Sequence, residues 1–321
     1  MKKFYKRIFS IENIGISNCY KEKIINILGL SIKIPIYGKL KPLNDFYIEL
    51  PEVYLSVVAI AKNEAPYIKE WIEYHKLVGV ERFYFYDNGS TDNTREILDP
   101  YIKEGSVIYN YCEGKCLQNL AYADAIYKYK NQTRWLAIID LDEYIVPVEK
   151  NTIPDFLKDY EKYSGIGVNW VMFDSNGFKV KPSANGGLIT CNYTRVSKNY
   201  NIKENCHIKS IVNPKKVKVV FHPHFCIFEN KGFTVDENFK RVKDCFTAAN
   251  SSKKIRINHY YSKSEEEYIK KTARGNADNA NKRIFNEGYL NFAETTDDYV
   301  IQKFVPELKK RMNIEDNEEL I

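Results

Sequence analysis

The stretch WLAIIDLDEYIV, residues 135–146, decides the fold. An apolar run at 135–139 leads into the acidic segment 140–143, Asp-Leu-Asp-Glu, and apolar residues resume at 144–146. Carboxylates are costly to bury without partners, so three of them between two apolar runs call for a functional reason. We interpret the stretch as a buried strand that carries an acidic group to the edge of a sheet.

Three similar strand-length runs precede it: LSVVAIA (55–61), FYFYD (83–87) and VIYNY (107–111). After each run, apolar residues recur at the spacing of a helix, which predicts a helix there. WLAIID (135–140) is the fourth predicted strand. Four strands joined by three helices predict an α/β protein with a Rossmann-like, mostly parallel central sheet and helices on both faces.

The polar clusters of this region stand where predicted strands end. They are the segments 62–64 (Lys-Asn-Glu), 87–90 (Asp-Asn-Gly-Ser) and 140–143. In open α/β sheets, ligands bind outside the carboxyl ends of the strands. The sequence therefore predicts a ligand site at this edge, with the segment at 87–90 placed to pair with a base edge or a ribose hydroxyl.

Asp140 and Asp142 are one residue apart, so in an extended backbone both carboxylates would face the same side. Hard oxygen ligands at an edge suited to phosphate favour Mg²⁺ or Mn²⁺. We therefore predict that Asp140 and Asp142 bind one divalent cation, which would neutralise a departing diphosphate.

Composition narrows the class of protein. The 321 residues carry 48 basic and 42 acidic side chains, and the lysines are scattered, which argues against nucleic-acid binding. Seven cysteines without the spacing of a disulfide framework predict a reduced, cytoplasmic environment. Charges interrupt the apolar positions of MKKFYKRIFSIENIG, so we expect no signal peptide and instead a peripheral contact with an anionic membrane or a solvated terminus.

The longer motifs resemble a known family. They are VVAIAKNEAPYIKEWIEYHKLVGVERFYFYDNGSTDNT, WLAIIDLDEYIVP, FDSNG, HIKSIVNP, HPHF and INHYYSKSEEEYIKKTARG. Together, over residues 53–276, they are similar to the family 92 glycosyltransferases and their bacterial relatives, close to family 2. The resemblance implies a GT-A fold and a metal-dependent, inverting transfer of a sugar from a nucleotide donor. It implies a UDP-sugar, UDP-galactose being the first guess, and Mn²⁺ or Mg²⁺ as cofactor.

The resemblance also implies roles for single residues. Asp140 and Asp142 match the family's metal-binding Asp-x-Asp. Asp140 is also expected to bind the nucleotide-sugar donor. His259 resembles a C-terminal histidine that completes the metal site, with His224 as the second choice. The residues that match nucleoside-holding segments are Ala61, Asn63, Glu64, Asp87 and Asn88.

The catalytic base is the least determined role. Relatives usually carry glycine where Asp174 stands in FDSNG, and an acid where Thr194 precedes Arg195. An inverting transfer needs a carboxylate to take the acceptor's proton. Asp174, Glu229 and Glu143 are the candidates, and Asp174 is the one we predict.

By the same resemblance, a capsule or lipopolysaccharide glycan, free or lipid-linked, is the expected acceptor. The expected organisation is an N-terminal appendage at 1–50 (a hairpin or docking strand pair), a GT-A domain at 51–276 and a C-terminal helical extension at 277–321. Lysines and tyrosines of 262–275 either line the acceptor's path or belong to an amphipathic surface helix that opens with a capping box of Ser264 and Glu267.

Other interpretations are a haloacid-dehalogenase-like phosphatase and a nucleotide-sugar-binding protein without catalysis. A phosphatase of that kind has its Asp-x-Asp after the first core strand, whereas here three strand–helix units come first. A structural zinc site is conceivable from the alternation of His222, His224 and Cys226 near Cys206 and His207. We expect His75 to be a packed core residue.

Overall fold

The computed structural model describes residues 9–17, 20–27, 30–37, 42–275 and 283–315. Its helices are α1 (Ala65–Leu77), α2 (Thr94–Glu104), α3 (Gln118–Tyr129), α4 (Ile153–Leu157), α5 (Ile189–Asn192), α6 (Glu265–Arg274) and α7 (Val305–Met312). Its strands are β1 (Phe9–Ser17), β2 (Tyr20–Ile27), β3 (Leu30–Tyr37), β4 (Val53–Ala61), β5 (Arg82–Asn88), β6 (Val107–Cys112), β7 (Thr133–Ile138), β8 (Glu143–Pro147), β9 (Gly165–Met172), β10 (Arg195–Ser197), β11 (Ile208–Val212), β12 (Val217–His222), β13 (Phe225–Phe228), β14 (Thr234–Val235), β15 (Arg241–Val242), β16 (Ile255–His259) and β17 (Thr295–Asp297).

The central sheet confirms the predicted α/β architecture. Strands β7, β4, β5 and β6 lie side by side and are all parallel. Strand β11 continues the sheet antiparallel to β7, and β9 pairs antiparallel with β11. The residues of β4 are almost all buried because both faces of the strand are covered, which explains its continuous apolar run.

Two apolar clusters lie on opposite faces of this sheet. Alternate residues of β4 belong to different clusters: Val57 packs with Trp71 of α1, whereas Val58 packs with Tyr122 of α3. Helix α2 adds Leu98 to the first cluster. Helices therefore cover both faces, as predicted, and the carboxyl ends of β4, β5 and β7 are left at one open edge.

A second set of paired strands lies next to this open edge of the sheet. Strand β16 lies antiparallel to β8, with His259 opposite Glu143, and parallel to the end of β9. Helix α6 follows and begins with the predicted capping box: Ser264 Oγ accepts from the backbone N–H of Glu267, whose carboxylate accepts from the N–H of Ser264. The register of β16 therefore places its last residue beside the turn that follows β7.

The segments on either side of the predicted domain 51–276 contact it. Residues 42–50 of the predicted appendage run along α3, where the N–H of Leu43 donates to Asp124 over 2.6 Å. Strands β1–β3, in the same predicted appendage, form a three-stranded antiparallel sheet. Of the predicted C-terminal extension, β17 pairs with β10, and Leu308 of α7 joins the core cluster of the sheet.

None of the helices described is both long enough and apolar enough to cross a bilayer.

Candidate functional site

A cleft of about 650 Å³ opens at the carboxyl ends of β4, β5 and β7. The predicted site residues that line it are Ala61, Glu64, Asn88, Asp140, Asp142, His224 and His259. Residues of α6, together with Gly275 and Arg283, also line it. The cleft is large enough for a small organic ligand of several rings.

Asp140 is held by three side-chain donors at the base of the cleft. Its Oδ1 accepts from Gln118 Nε2 and from Tyr122 Oη, each at 2.8 Å. Its Oδ2 accepts from Lys209 Nζ, also at 2.8 Å. Burial raises the pKa of Asp140, but Lys209 and the hydrogen bond from Tyr122 together outweigh burial, so the pKa lies below its usual value. Asp140 is therefore a fixed, ionised group.

The backbone between the two aspartates differs from the prediction. Strand β7 ends at Ile138, and residues 139–142 form a turn in which the Glu143 N–H donates to the Asp140 carbonyl over 3.1 Å. The two carboxylates thus do not face one side of an extended strand, because the chain reverses here to enter β8. Both still line the cleft, each with its own partners.

Asp142 faces His259 and Lys271. Its Oδ2 lies 3.6 Å from His259 Nε2 and accepts a hydrogen bond from Lys271 Nζ. Although burial raises the pKa of Asp142, Lys271 and His259 hold it well below its usual value. Burial lowers the pKa of His259, which favours the neutral imidazole, the form that binds metals. Asp142 and His259 therefore offer a carboxylate and a nitrogen ligand at one point of the cleft.

A buried lysine and glutamate lie beneath the acidic turn. Lys209 of β11 has a fully buried side chain, and its Nζ lies 3.5 Å from Glu143 Oε2, besides its bond to Asp140. The same Glu143 oxygen accepts from the Asp140 N–H at 2.9 Å. Burial raises the pKa of Glu143 to about 8, against the opposing effect of Lys209. By distance, Lys209 is the closer partner of Asp140.

Much of the cleft lining is basic. Lys271 and Arg274 of α6 line the cleft together with Arg283, Lys62 and Lys115. Arg274 is anchored by the Lys62 carbonyl and the Glu64 carboxylate. Among the residues that the structure describes, the lining thus has five cations against three carboxylates, those of Glu64, Asp140 and Asp142. This excess suits a ligand that carries phosphate groups.

The residues predicted to hold a nucleoside lie at the ends of β4 and β5. Asn63, which has a positive φ of 55°, accepts the Thr91 N–H on its side-chain oxygen at 2.7 Å. Asp87 is buried and accepts from Tyr109 Oη at 2.7 Å. Asn88 accepts the Gly114 N–H at 3.0 Å. Asn63 and Asp87 therefore shape the loops of this side, whereas Ala61, Glu64 and Asn88 reach the cleft itself.

The three candidates for the catalytic base lie in different surroundings. Asp174 is buried and forms an ion pair with Arg195, whose Nη2 lies 2.9 Å from Oδ2, and it is not among the residues that line the cleft. Glu229 is exposed and follows β13. Glu143 lies buried beneath Asp140. No structural finding tests the role itself, so Asp174 stays a prediction.

The histidines near β12 and β13 do not form a zinc cage. His207 Nδ1 bonds the Glu204 carbonyl, and His224 Nδ1 bonds the Ile208 carbonyl. Within the described ranges, no group of three or more His, Cys, Asp or Glu side chains converges on one point. His75 is confirmed as a core residue, since it is buried and bonded to the Trp71 carbonyl.

Because the described residues form no three-ligand cage, a metal ion in this cleft would take only part of its ligands from the protein. Mg²⁺ and Mn²⁺ bound with substrate phosphates commonly take one or two protein carboxylates and complete their shell with phosphate oxygens and water. Asp142 and His259 meet that requirement. His259 Nδ1 has no hydrogen-bond partner among the described residues. The donor set fits a divalent cation that shares its coordination with a ligand.

Several contributors to the site come from outside the predicted set. Gln118 and Tyr122 bind Asp140 together with Lys209, and Lys115, Trp170 and Arg283 line the cleft. The ring centroid of Trp170, on β9, lies 4.3 Å from that of His259 and 5.0 Å from that of His224. A lysine inside the apolar strand IKSIV was a usable signal for a buried counter-ion. No comparable pattern in the sequence points to Trp170 or Arg283.

Comparison with known proteins gives a family. The model of glycosyltransferase family 92 matches residues 54–312. A family 92 protein of Oryza sativa subsp. japonica is 26% identical over 182 residues, which are 53% of this chain and 29% of that protein. A galactan beta-1,4-galactosyltransferase of Arabidopsis thaliana is 30% identical over 107 residues, 30% of this chain and 21% of that protein. The chain thus spans less than a third of the length of these two relatives.

Among solved structures, the chain is similar to S. aureus TarS (residues 1–349) in complex with UDP. The TM-score is 0.32 at 18% identity, over 50% of this chain and 47% of that one.

Proposed function

Because the chain belongs to glycosyltransferase family 92, we propose that it transfers a sugar from a nucleotide donor, with a divalent metal and with inversion. The observation that carries the proposal is the arrangement of the cleft. Asp140 and Asp142 lie at the carboxyl end of a parallel strand, and the basic residues Lys271 and Arg274 of α6 line the same cleft.

The proposed donor is a UDP-sugar. A diphosphate is the kind of group that five cations can hold opposite three carboxylates. UDP-galactose is the first donor to test, because one relative is named a galactosyltransferase. The proposed acceptor is a glycan of a capsule or lipopolysaccharide, met in the cytoplasm or at the inner face of a membrane that the basic N-terminal segment would contact.

In this proposal, Asp140, Asp142 and His259 hold Mn²⁺ or Mg²⁺, and Asp140 also contributes to donor binding. When bound, the cation neutralises charge on the departing diphosphate. Lys271 and Arg274 of α6 orient the phosphates. Ala61, Glu64 and Asn88 contact the nucleoside at the ends of β4 and β5, whose loops Asn63 and Asp87 hold in shape.

The proton of the acceptor's hydroxyl group must be taken by a carboxylate on the face opposite the leaving diphosphate. Asp174 is the predicted base, and Arg195 would have to release it for that step because its guanidinium group, which is partly exposed, pairs with the buried Asp174 carboxylate. The role therefore requires the segment around Asp174 to rearrange when the acceptor binds.

Calorimetric titration tests the proposal. UDP should bind the wild-type protein with Mn²⁺ and lose most of its affinity in EDTA. Asp142→Ala should abolish the metal-dependent part, whereas Asp159→Ala, at an exposed position outside the cleft lining, should not change it. Release of UDP from UDP-galactose and other UDP-sugars then identifies the donor. If the wild type binds no UDP in any of these conditions, the proposal is wrong.

A further inference from the structure

Lys271 occupies the place on Asp142 that a metal ion would take. Its Nζ donates to Asp142 Oδ2, the same oxygen that lies 3.6 Å from His259 Nε2. It also donates to the Tyr261 carbonyl at 2.8 Å and lies 3.8 Å from the centre of the Tyr261 ring. The side chain is only 11% exposed, so this is a built contact rather than a surface ion pair.

An ammonium group and a divalent cation on the same carboxylate oxygen repel each other strongly at a partly buried site, so a metal ion at Asp142 favours departure of the lysine. On the basis of the proposed function, we infer that Lys271 is the resident counter-ion of Asp142. When the metal binds Asp142, Lys271 transfers to the diphosphate of the donor. One lysine thus stabilises two successive anions of the same cleft.

The surroundings of Lys271 support this transfer. Lys271 and Arg274 lie three residues apart on α6, hence on neighbouring positions of one helix face, and both line the cleft. Arg283, on the chain that continues from this helix, lines it too. A lysine that leaves Asp142 therefore joins other cations, and it is stable there only if an anion arrives. A diphosphate in the cleft is that anion.

The exchange couples the two ligands. Metal alone must break the Asp142–Lys271 pair and leave the ammonium facing other cations, whereas metal together with a nucleoside diphosphate gives both charges a partner. Each ligand therefore raises the affinity for the other, as linkage requires. The inference concerns binding and can be measured without turnover.

The test compares Lys271→Met with wild type and with Lys270→Met. Lys270 is the adjacent residue of α6, its side chain is 71% exposed, and it pairs with Glu266 outside the cleft. Free Mn²⁺ is measured by electron paramagnetic resonance without nucleotide, and UDP binding is measured by calorimetry at saturating Mn²⁺. Lys271→Met should bind Mn²⁺ alone about tenfold more tightly and UDP about tenfold more weakly, while Lys270→Met should change neither affinity.

The opposite signs distinguish this role from a structural one, because a damaged cleft would weaken both ligands. An unchanged or weaker Mn²⁺ affinity in a folded Lys271→Met protein would overturn the inference. Lys271→Arg keeps the charge and should keep both affinities close to wild type.

If Lys271→Met does not fold, the wild-type protein alone still tests the inference. Equal Mn²⁺ affinity with and without UDP would refute the exchange. Failure of UDP to bind wild type would instead refute the proposed function.

Discussion

Replacement of Lys209 by methionine should expose how the acidic turn is kept ionised. The substitution keeps the length of the buried side chain and removes the cation that lies 2.8 Å from Asp140 Oδ2. Removing one partner of a buried ion pair costs about 3–5 kcal/mol, because the other charge stays buried without compensation. A carboxyl group can escape this cost by taking up a proton. At pH 7, which is about three units above the ordinary pKa of aspartate, protonating the carboxyl group costs about 4 kcal/mol. The loss of stability caused by the unpaired charge therefore cannot exceed about 4 kcal/mol.

The sign with pH follows from the same reasoning. The folded pKa of Asp140 is lowered in the wild type, so its contribution to stability is present above the unfolded value and is lost as the pH falls through the folded one. Lys209→Met removes this contribution. In the variant, burial without the cation raises the pKa of Asp140, so the carboxyl takes up a proton as the pH falls from 7 toward 4. The variant should therefore be about 4 kcal/mol less stable at pH 7, and the difference should shrink toward pH 4, whereas the wild-type contribution is lost only at lower pH.

Urea unfolding of both proteins at pH 7 and pH 4.5, followed by circular dichroism, measures this difference. Lys215→Met is the control, because Lys215 forms an exposed pair with Glu52 and its loss should cost at most about 1 kcal/mol. An equal destabilisation by Lys209→Met at both pH values would refute the reasoning, since a loss that does not depend on pH comes from packing and not from charge.

Three further predictions concern single side chains. As the predicted base, Asp174→Asn should lower kcat by about 10²–10⁴-fold with little change in KM; a kcat within tenfold of wild type, together with a lower Tm, would leave Asp174 only as the partner of Arg195. Burial lowers the pKa of His75 to about 3, so the unfolded chain takes up the proton first and stability is lost as the pH falls from about 6.5 toward 3. In urea titrations, His75→Leu should weaken the pH dependence of the free energy of unfolding by up to about 1.4 kcal/mol per pH unit in this range. An unchanged pH dependence would contradict the lowered pKa of His75. Trp170 lines the cleft whereas Trp71 and Trp135 are fully buried, so Trp170→Phe should abolish a change in intrinsic fluorescence on UDP binding, and persistence of the signal would place its source elsewhere.

The edge of the sheet could be predicted because it follows from local patterns. Each parallel strand is an apolar run, and polar residues that follow such runs must meet at one edge. That reasoning brought Asp140 and Asp142 to the same cleft as Glu64 and Asn88. The turn at 139–142 could not be predicted in the same way, because periodicity indicates where a strand runs but not the residue at which it reverses.

The partners of the two aspartates could not be predicted because they come from distant segments. Lys209 lies 69 residues from Asp140 in the sequence, and Lys271 lies 129 residues from Asp142. The helix that carries Lys271 was predicted, and so was the alternative that its lysines line a path for a ligand. Which of them turns inward depends on how α6 packs against the edge, which only the tertiary structure gives.

The antiparallel register of β8 and β16 has a consequence for how this cleft tolerates changes in chain length. His259 lies opposite Glu143, and the Tyr260 N–H donates to the Asp142 carbonyl at 2.9 Å. Deletion of one residue inside β16 would turn His259 to the other face, since side chains alternate along a strand. A change of length outside the two strands does not alter the alternation of side chains within them. Protein engineering of this cleft must therefore keep the spacing within β8 and β16 fixed.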